Sequence, residues 1–439
     1  MTDGTYTVGL YTLGCKVSQY ETEAIGEAFE KEGFLVVPFS QRADVYVINT
    51  CTVTEESDRK SRQFVRRAIR KNPEAVVIVI GCYAQRAAEE LIKINGVSAV
   101  IGTQDKLSSV RIAKDFLENP TRERVVSVGA LDGAKFENMC ITRAPRTRAY
   151  VKIEDGCESK CTYCAISPAR GPVRSKPRED VIKEVEGLAA SGVAEIVLTG
   201  IETGSYGKDF DEKYTLADLI YELNARKSCK RIRLGSLAPE LIGRDFVNKV
   251  RECEILAPHF HISIQSGSDE VLRRMKRRYN TKQAYENISA LKEAFPTAMF
   301  TTDLMVGFPG ESKANFLETC DFLREVGFLD AHVFAYSKRE GTPAAEYENQ
   351  VSEDLKRERS ERLISLKNEV RERVLDGIVE ERKPISCVLE VEKNGIYTGH
   401  SDSFIEVSVS AQAGLKGCVV DVMPLSHKDG IIFGEMTKI

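Results

Sequence analysis

The stretch Gly156-Cys157-Glu158-Ser159-Lys160-Cys161-Thr162-Tyr163-Cys164 decides which fold the middle of the chain adopts. It places three cysteines within eight residues, soon after a predicted strand at 149–154. Thiolates at this Cys-x3-Cys-x2-Cys spacing can bind a four-iron four-sulfur cluster, and one iron stays open because no fourth cysteine is close in sequence. The alternatives are zinc and chance clustering. Zinc usually takes four protein ligands, and no His precedes residue 259.

From about residue 150 to 337, short apolar runs alternate with helical segments of ten or more residues. About six strand–helix units fit, fewer than the eight of a complete barrel. The pattern predicts a partial (β/α)6 barrel whose chemistry lies at the carboxyl ends of its strands. The predicted strands are 149–154, 194–199, 231–235, 259–265, 299–306 and 330–336.

Three more cysteines follow predicted strands in the first part of the chain. Cys15, Cys51 and Cys82 come after strands at 5–13, 44–49 and 76–80, and helical patterns separate these strands, as in a parallel α/β sheet. The first helix is predicted to begin with a capping box at Ser18–Glu21 and to stop at Gly33. A dispersed cysteine is usually a small buried hydrophobe. Ligands of open parallel sheets bind beyond the carboxyl strand ends, so the shared placement predicts one common site.

The last part of the chain changes from helical to strand periodicity. A charged helix is predicted over 352–374, ended by Gly377, and after Pro384 short strands at 385–391, 404–409 and 418–423 indicate a small antiparallel barrel. The fold class is therefore α/β multidomain. The predicted domains are 1–140 with the parallel sheet, 141–350 with the partial barrel, 351–377 as a linking helix, and 378–439 as the small barrel.

Composition narrows the class of protein. Of 439 residues, 42% are hydrophobic and 29% charged, which excludes fibrous and wholly disordered chains. No apolar run approaches the roughly 20 residues that span a bilayer, so we expect a cytoplasmic protein with no membrane anchor or signal peptide. In a reducing compartment the twelve cysteines favour metal ligation or catalysis over disulfides. The net charge of −4 means that any nucleic acid must be bound by a local basic patch.

The cysteine motif opening a partial barrel resembles the radical S-adenosylmethionine (SAM) superfamily. The resemblance implies that the open iron chelates SAM and that the chain cleaves it reductively to a 5′-deoxyadenosyl radical. It also implies cofactor contacts at the aromatic residue of the motif and at three strand ends, although a glycine after a strand is most often only a turn. The implied cofactor-binding residues are Tyr163, Thr199, Gly200, Glu202, Ser263, Gln265, Gly307 and Gly310.

The sequences around Cys15, Cys51 and Cys82 resemble the amino-terminal domain of the methylthiotransferase family. This resemblance implies that the three bind a second, auxiliary four-iron four-sulfur cluster, and that 378–439 is a TRAM-like RNA-binding domain. Within the family, the match is to the tRNA N6-threonylcarbamoyladenosine (MtaB-like) branch. Ser18, where this branch often has Asn, and Ser167-Pro168 depart from its usual pattern without removing a ligand.

A basic stretch surrounds the central cysteine motif. Residues 141–178 hold nine Lys and Arg against three acids, which favours phosphate binding over a solvated surface. A second basic run at 273–278 is as well explained by a solvated helix face, and we expect His259 and His261 to pack within a strand rather than bind metal. The predicted RNA-binding residues are Arg143, Arg146, Arg148, Arg170, Arg174 and Lys176.

The resemblance therefore implies an enzyme that inserts sulfur at C2 of threonylcarbamoyladenosine, at position 37 beside the tRNA anticodon, and methylates that sulfur. SAM would serve as radical source and methyl donor, and the expected partners are the tRNA, a reducing electron-donor protein and a sulfur source. The alternatives are action on isopentenyladenosine in tRNA, action on a ribosomal-protein aspartate, and a non-catalytic iron-sulfur protein that binds RNA or senses redox state.

Overall fold

The computed structural model describes residues 5–144 and 147–438. The chain divides into two compact units. The first consists of Met1–Ile141, Glu154–Lys176 and Ser337–Ala345, and the second of Thr142–Ile153, Pro177–Tyr336 and Glu346–Ile439. The loop with Cys157, Cys161 and Cys164 thus belongs to the same unit as the amino-terminal cysteines. The four domain boundaries given by the sequence stay a prediction.

The first unit is built on a parallel six-stranded sheet with the strand order β2-β1-β3-β4-β5-β6. Its central strands β3 and β4 are buried along their whole length, as their unbroken Val- and Ile-rich sequences require when helices cover both faces. The strand order reverses between β1 and β3, which creates a crevice at their carboxyl ends. The strands are β1 Thr7–Thr12, β2 Leu35–Val37, β3 Val45–Thr50, β4 Val76–Gly81, β5 Ala99–Ile101 and β6 Val125–Ser127.

The helices of the first unit begin close to the ends of these strands. The predicted capping box at Ser18 is wrong: the first helix begins at Lys16 with Cys15 as its N-cap, so Ser18 lies inside the helix and its carbonyl accepts a hydrogen bond from Thr22 Oγ1. The helices are α1 Lys16–Lys31, α2 Glu55–Lys71, α3 Cys82–Arg86, α4 Ala88–Ile92, α5 Ser108–Glu118 and α6 Ile166–Arg170. The short strands β8 Glu154–Asp155 and β9 Arg174–Ser175 pair antiparallel on either side of the cysteine loop.

The second unit contains the partial barrel. All strand pairs of the partial barrel are parallel. Its six strand positions follow the order predicted from the sequence, and the third is split in two around Gly235, whose N–H bonds to the Leu198 carbonyl at 2.8 Å. The strands are β7 Arg148–Lys152, β10 Glu195–Thr199, β11 Ile232–Leu234, β12 Ser236–Leu237, β13 His259–Gln265, β14 Met299–Val306 and β15 Asp330–Ala335. The helices are α7 Arg178–Ala190, α8 Leu216–Arg226, α9 Arg244–Val250, α10 Asp269–Arg274, α11 Thr281–Ala294 and α12 Lys313–Val326.

A long helix, α13 Glu353–Glu381, follows the barrel. The sequence predicts an end at Gly377, but the helix continues to a left-handed C-cap at Arg382, because one glycine costs a helix only about 1 kcal/mol and does not stop it. Lys367 forms an ion pair with Asp330 of β15, and Arg371 donates to the Gly430 carbonyl of the last hairpin. The helix therefore connects the partial barrel to the carboxyl-terminal strands.

The carboxyl-terminal strands close into a barrel with the order β16-β17-β18-β20-β19. Leu389, Tyr397 and Val407 lie in its core. Asn394-Gly395 and Asp429-Gly430 both adopt positive φ, as tight hairpin turns require. The sequence prediction missed two of the five strands, β17 and β20. The strands are β16 Ile385–Lys393, β17 Ile396–Ser401, β18 Glu406–Ser410, β19 Val419–Lys428 and β20 Ile431–Lys438.

Within residues 5–144 and 147–438, every helix is too short or too polar to cross a membrane.

Candidate active site

The three amino-terminal cysteines lie together at the carboxyl edge of the first unit's sheet. Cys15 follows β1, Cys51 follows β3, and Cys82 is the first residue of α3 after β4. A Cβ atom at Gly14 would lie 3.4 Å from Cys51 Sγ, and Cys15 and Cys51 both act electrostatically to raise the pKa of the Cys82 thiol. The strand order thus brings three dispersed sequence positions to one site.

The geometry of the chain before Cys82 depends on Gly81. Its φ of +98° suits glycine, and a Cβ atom there would lie 2.4 Å from Asn49 Oδ1 and 2.8 Å from the Thr50 carbonyl oxygen. Burial raises the pKa of the Cys82 thiol to about 12. Burial also raises the pKa of Cys51, against the opposing hydrogen bond from the Val53 backbone. A bound metal offsets this effect of burial, because metal ligation takes a thiol in its deprotonated form.

A fully buried arginine contacts this cysteine site. Arg170 Nε donates to Cys82 Sγ at 3.0 Å, and Nη1 donates to Glu21 Oε1 at 2.6 Å and to Asp155 Oδ2 at 3.1 Å. Burial works against the charge of the guanidinium, but Asp155, Cys82 and Glu21 together raise its pKa well above the ordinary value. Lys106 Nζ lies 3.3 Å from Glu21 Oε1, the same oxygen that accepts from Arg170. The site therefore rests on a buried network of opposite charges.

The second cysteine trio lies in the loop between β8 and α6. Backbone N–H groups donate to two of its sulfurs, from Ser159 to Cys157 Sγ at 3.4 Å and from Ile166 to Cys164 Sγ at 3.3 Å. Cys157, Cys161 and Cys164 are partly exposed, and so is Tyr163. Sulfur atoms that accept backbone hydrogen bonds and remain reachable from solvent are typical of iron-sulfur sites.

The strand-end residues expected to contact SAM lie in the second unit. Thr199 ends β10, Gly200 and Glu202 follow it, and Glu202 accepts a hydrogen bond from Ser205 Oγ at 2.6 Å. Ser263 and Gln265 lie on β13.

Gln265 has a φ of +68°, where the register between β13 and β14 shifts. Gly307 and Gly310 follow β14. A Cβ atom at Gly307 would lie 2.3 Å from Lys356 Cγ, and one at Gly310 would lie 2.4 Å from the guanidinium of Arg274. These two glycines therefore have a packing role of their own.

Comparison with known proteins agrees with this layout. Residues 151–323 match the radical SAM superfamily, and residues 7–102 match a family described as uncharacterized protein family UPF0004. The threonylcarbamoyladenosine tRNA methylthiotransferase MtaB of Bacillus subtilis is 42% identical over 98% of this chain and 95% of its own. The MtaB of Thermotoga maritima is 35% identical over 91% and 90%. A tRNA-2-methylthio-N6-dimethylallyladenosine synthase of Acetivibrio thermocellus is 33% identical over 98% and 90%. The chain belongs to the radical SAM methylthiotransferase family.

This methylthiotransferase also shares its fold with solved radical SAM structures. The radical SAM methyltransferase TsrM of Kitasatospora setae, solved with cobalamin and a [4Fe-4S] cluster, superimposes with a TM-score of 0.57 at 15% identity, over 78% of this chain and 77% of that one. At this identity the likeness concerns the fold alone.

Membership of the methylthiotransferase family implies two four-iron four-sulfur clusters and SAM. The residues fit: each cysteine trio would offer one thiolate to each of three irons, and Arg170 and two backbone N–H groups donate to the cysteine sulfurs. Within the described residues, no three His, Cys, Asp or Glu side chains are placed to hold a single metal ion. Cluster ligands stand further apart than that, because each thiolate binds a different iron.

The structure corrects three of the predicted RNA contacts of this methylthiotransferase. Arg170 is buried in the network described above. Arg174 is also buried, 3.7 Å from Asp155, and the fully buried Lys176 donates to the Met139 carbonyl at 2.7 Å. Buried cations that already have acceptors cannot reach a phosphate backbone, so the prediction for these three residues is wrong.

The other predicted RNA contacts differ from one another. Arg148 is largely buried and forms ion pairs with Glu390 at 3.0 Å and Glu195 at 3.7 Å. Arg143 is exposed. Arg146 lies outside the described residues. Arg148 and Arg170 of this basic stretch are therefore paired with carboxylates that are distant in sequence.

Sequence reasoning missed the residues that support the cysteines. Asp155 and Arg170 flank the central motif, and their closeness to it in sequence could have indicated that they support the cysteines. Nothing in the sequence pointed to Glu21 as a partner of Arg170.

Proposed function

We propose that this chain converts N6-threonylcarbamoyladenosine at position 37 of tRNA to its 2-methylthio derivative. The observation that carries the proposal is the presence of two cysteine trios in one folded unit of a chain that is 42% identical to a threonylcarbamoyladenosine tRNA methylthiotransferase over 98% of its length. The chemistry that two clusters and SAM supply when bound is radical attack at an unactivated C–H bond, sulfur insertion and methyl transfer, which side chains cannot perform.

The chain's own residues bind and position in this proposal. Cys157, Cys161 and Cys164 would hold the SAM-binding cluster, and Cys15, Cys51 and Cys82 the auxiliary one. The residues proposed to contact SAM are Tyr163, Thr199, Gly200, Glu202, Ser263, Gln265, Gly307 and Gly310.

The proposal also names the partners of the reaction. The reaction needs a reducing electron-donor protein and a sulfur source. The tRNA substrate and the free cysteines support a cytoplasmic location. The carboxyl-terminal barrel is the proposed RNA-binding domain, and Arg143 remains the exposed candidate for a phosphate contact.

Isopentenyladenosine is the second candidate substrate, because a dimethylallyladenosine synthase is 33% identical over 98% of this chain. A site that binds a polar substituent rejects an apolar analogue by about 10⁴-fold, since its own polar groups would be left buried and unpaired.

The deciding experiment reconstitutes the protein with iron and sulfide and supplies SAM, a reductant and purified tRNA carrying either modification. We expect methylthio product by nucleoside mass spectrometry only from the threonylcarbamoyl tRNA. Equal turnover of both tRNAs, or preference for the isopentenyl form, would assign the chain to the neighbouring branch.

A further inference from the structure

Two arginines converge on one hydroxyl beside the amino-terminal cysteine site. Arg86 Nη1 donates to Thr52 Oγ1 at 3.3 Å, and Arg339 Nη2 donates to the same oxygen at 2.9 Å. Thr52 is fully buried and directly follows Cys51, whereas Arg86 ends the helix that begins with Cys82. Both guanidinium groups thus contact the residue that follows Cys51, and Arg86 also shares a short helix with Cys82.

The pair also lies close to the second cysteine trio. Arg86 is near enough to Cys164 to interact with its thiol electrostatically. The segment that carries Arg339 is joined to the cysteine loop by a hydrogen bond from the Ala344 N–H to the Thr162 carbonyl at 2.9 Å. All these groups belong to the first unit. The arginine pair therefore borders the ligands of both proposed clusters.

The charges of the arginine pair are not balanced. Arg339 forms an ion pair with Asp58, but its Nε is buried and has no hydrogen-bond partner. Among the described residues Arg86 has no ion pair, and its acceptors are the Thr52 hydroxyl and the Glu340 carbonyl at 2.7 Å. Partial burial and the charge of Arg339 lower the pKa of Arg86, and Asp58, Glu340 and Cys164 only partly offset this. An anion placed here would relieve the repulsion.

Arg86 can meet such an anion because its side chain is exposed, while two hydrogen bonds fix the position of its guanidinium. A guanidinium that is already oriented binds a carboxylate in a bidentate manner with little further loss of entropy. The threonylcarbamoyl group carries one carboxylate, whereas the isopentenyl group carries none.

We propose that Arg86, supported by Arg339, binds the carboxylate of the threonylcarbamoyl substituent and so selects the substrate. This proposal rests on the proposed function. Two other oxyanions share the chemistry, the tRNA phosphate and the carboxylate of SAM, and the experiment separates the three sources.

The test compares Arg86→Gln with Arg124→Gln in the reconstituted full chain. Arg124 is a matched control: it is exposed and bonds to neutral acceptors, the Ile92 carbonyl and Asn95 Oδ1, but it precedes β6 at the opposite end of the sheet. The measurements are iron content, SAM affinity, SAM cleavage without tRNA, affinity for tRNA with and without the threonylcarbamoyl group, and kcat/KM for methylthiolation.

For Arg86→Gln we expect kcat/KM on threonylcarbamoyl tRNA to fall about 10- to 100-fold, the loss of one charged hydrogen-bonding group. Iron content, SAM affinity, SAM cleavage and affinity for unmodified tRNA should stay unchanged. Arg86→Lys should recover part of the loss, and Arg124→Gln should match the wild type throughout.

If Arg86→Gln lowers the affinity for tRNA equally with and without the threonylcarbamoyl group, Arg86 binds a phosphate. If it lowers the affinity for SAM, Arg86 binds the SAM carboxylate. If no measurement changes, Arg86 has no role in binding. Each of these results overturns the carboxylate proposal. A wild-type protein inactive on threonylcarbamoyl tRNA would instead overturn the proposed function, and the substrate assignment of Arg86 with it, whatever the variant does.

Discussion

Replacing Arg170 with Gln should destabilise the first unit more than any surface substitution. Arg170 is fully buried, and its two carboxylate partners, Glu21 and Asp155, are buried as well. Breaking a buried pair costs about 3–5 kcal/mol, because a charge is left without its partner in a poor solvent. Lys106 remains 3.3 Å from Glu21 and Arg174 remains 3.7 Å from Asp155, so we expect the lower figure, about 3 kcal/mol.

Urea unfolding followed by circular dichroism measures this effect. With a slope of about 1–3 kcal/mol per molar urea, the midpoint should fall by roughly 1–3 M. Arg111→Gln is the control, because Arg111 is 67% exposed and its pair with Asp115 at 3.4 Å contributes at most about 1 kcal/mol.

A double-mutant cycle isolates the pair itself. Glu21→Gln together with Arg170→Gln should cost less than the sum of the two single changes, since the double variant removes both charges of the pair. An Arg170→Gln protein that unfolds within about 0.5 kcal/mol of the wild type, or an additive cycle, would refute the claim that these charges stabilise one another.

Three further predictions concern the cysteines and one histidine. Cys161→Ala should abolish formation of 5′-deoxyadenosine, and detection of that product from the reconstituted variant would contradict the assignment of the central cluster. Cys82→Ala should lose about one cluster's iron and all sulfur transfer but keep reductive SAM cleavage; unchanged iron together with unchanged thiolation would exclude a shared amino-terminal site. The pKa of His332 is raised because Asp303 accepts its hydrogen bond. The His332–Asp303 pair therefore stabilises the fold fully at a pH below 6.5, the ordinary pKa of His, and this contribution is lost as the pH rises through the raised pKa. His332→Gln should therefore be less stable than the wild type near pH 6 and equal to it near pH 9, by urea midpoints; a stability gap that does not change with pH would exclude this pair as its cause.

The central strands could be predicted from sequence because their signals are local. The predicted strands 259–265 and 299–306 coincide with β13 and β14, and in β13 the apolar residues Phe260, Ile262 and Ile264 alternate with polar ones, which is a local strand signal. β17 was missed because Gly399 interrupts its pattern, and the reason for that glycine is non-local: a Cβ atom there would lie 1.9 Å from the Val388 carbonyl of the neighbouring strand.

For the buried residues Arg170, Arg174 and Lys176, the charge-based prediction was wrong for a related reason. Counting Lys and Arg in 141–178 indicated a phosphate-binding patch, but the carboxylates that neutralise Arg148 and Arg170 include Glu390 and Glu21, which are far away in sequence. Topology brings these partners to the arginines, and a count over 141–178 leaves out every carboxylate beyond that range. The strand packing expected of His261 needed only neighbouring strands: His261 bonds to Thr301 Oγ1 at 3.0 Å across the β13–β14 pair.

The position of the central cysteine loop has a consequence for the reaction. Although the loop directly follows the first strand of the partial barrel, it folds with the amino-terminal sheet. The last residue of α6, which begins two residues after Cys164, is Arg170, and its guanidinium reaches the sulfur of Cys82. The spacing between the two cysteine trios is therefore set by buried ion pairs rather than by a linker. Clusters held by these trios would need such a fixed separation to act on one carbon atom of a base, because misplacement by about 1 Å can cost a factor of about 100 in rate. The buried charges of Glu21, Asp155 and Arg170 thus hold the two cysteine trios at a fixed separation.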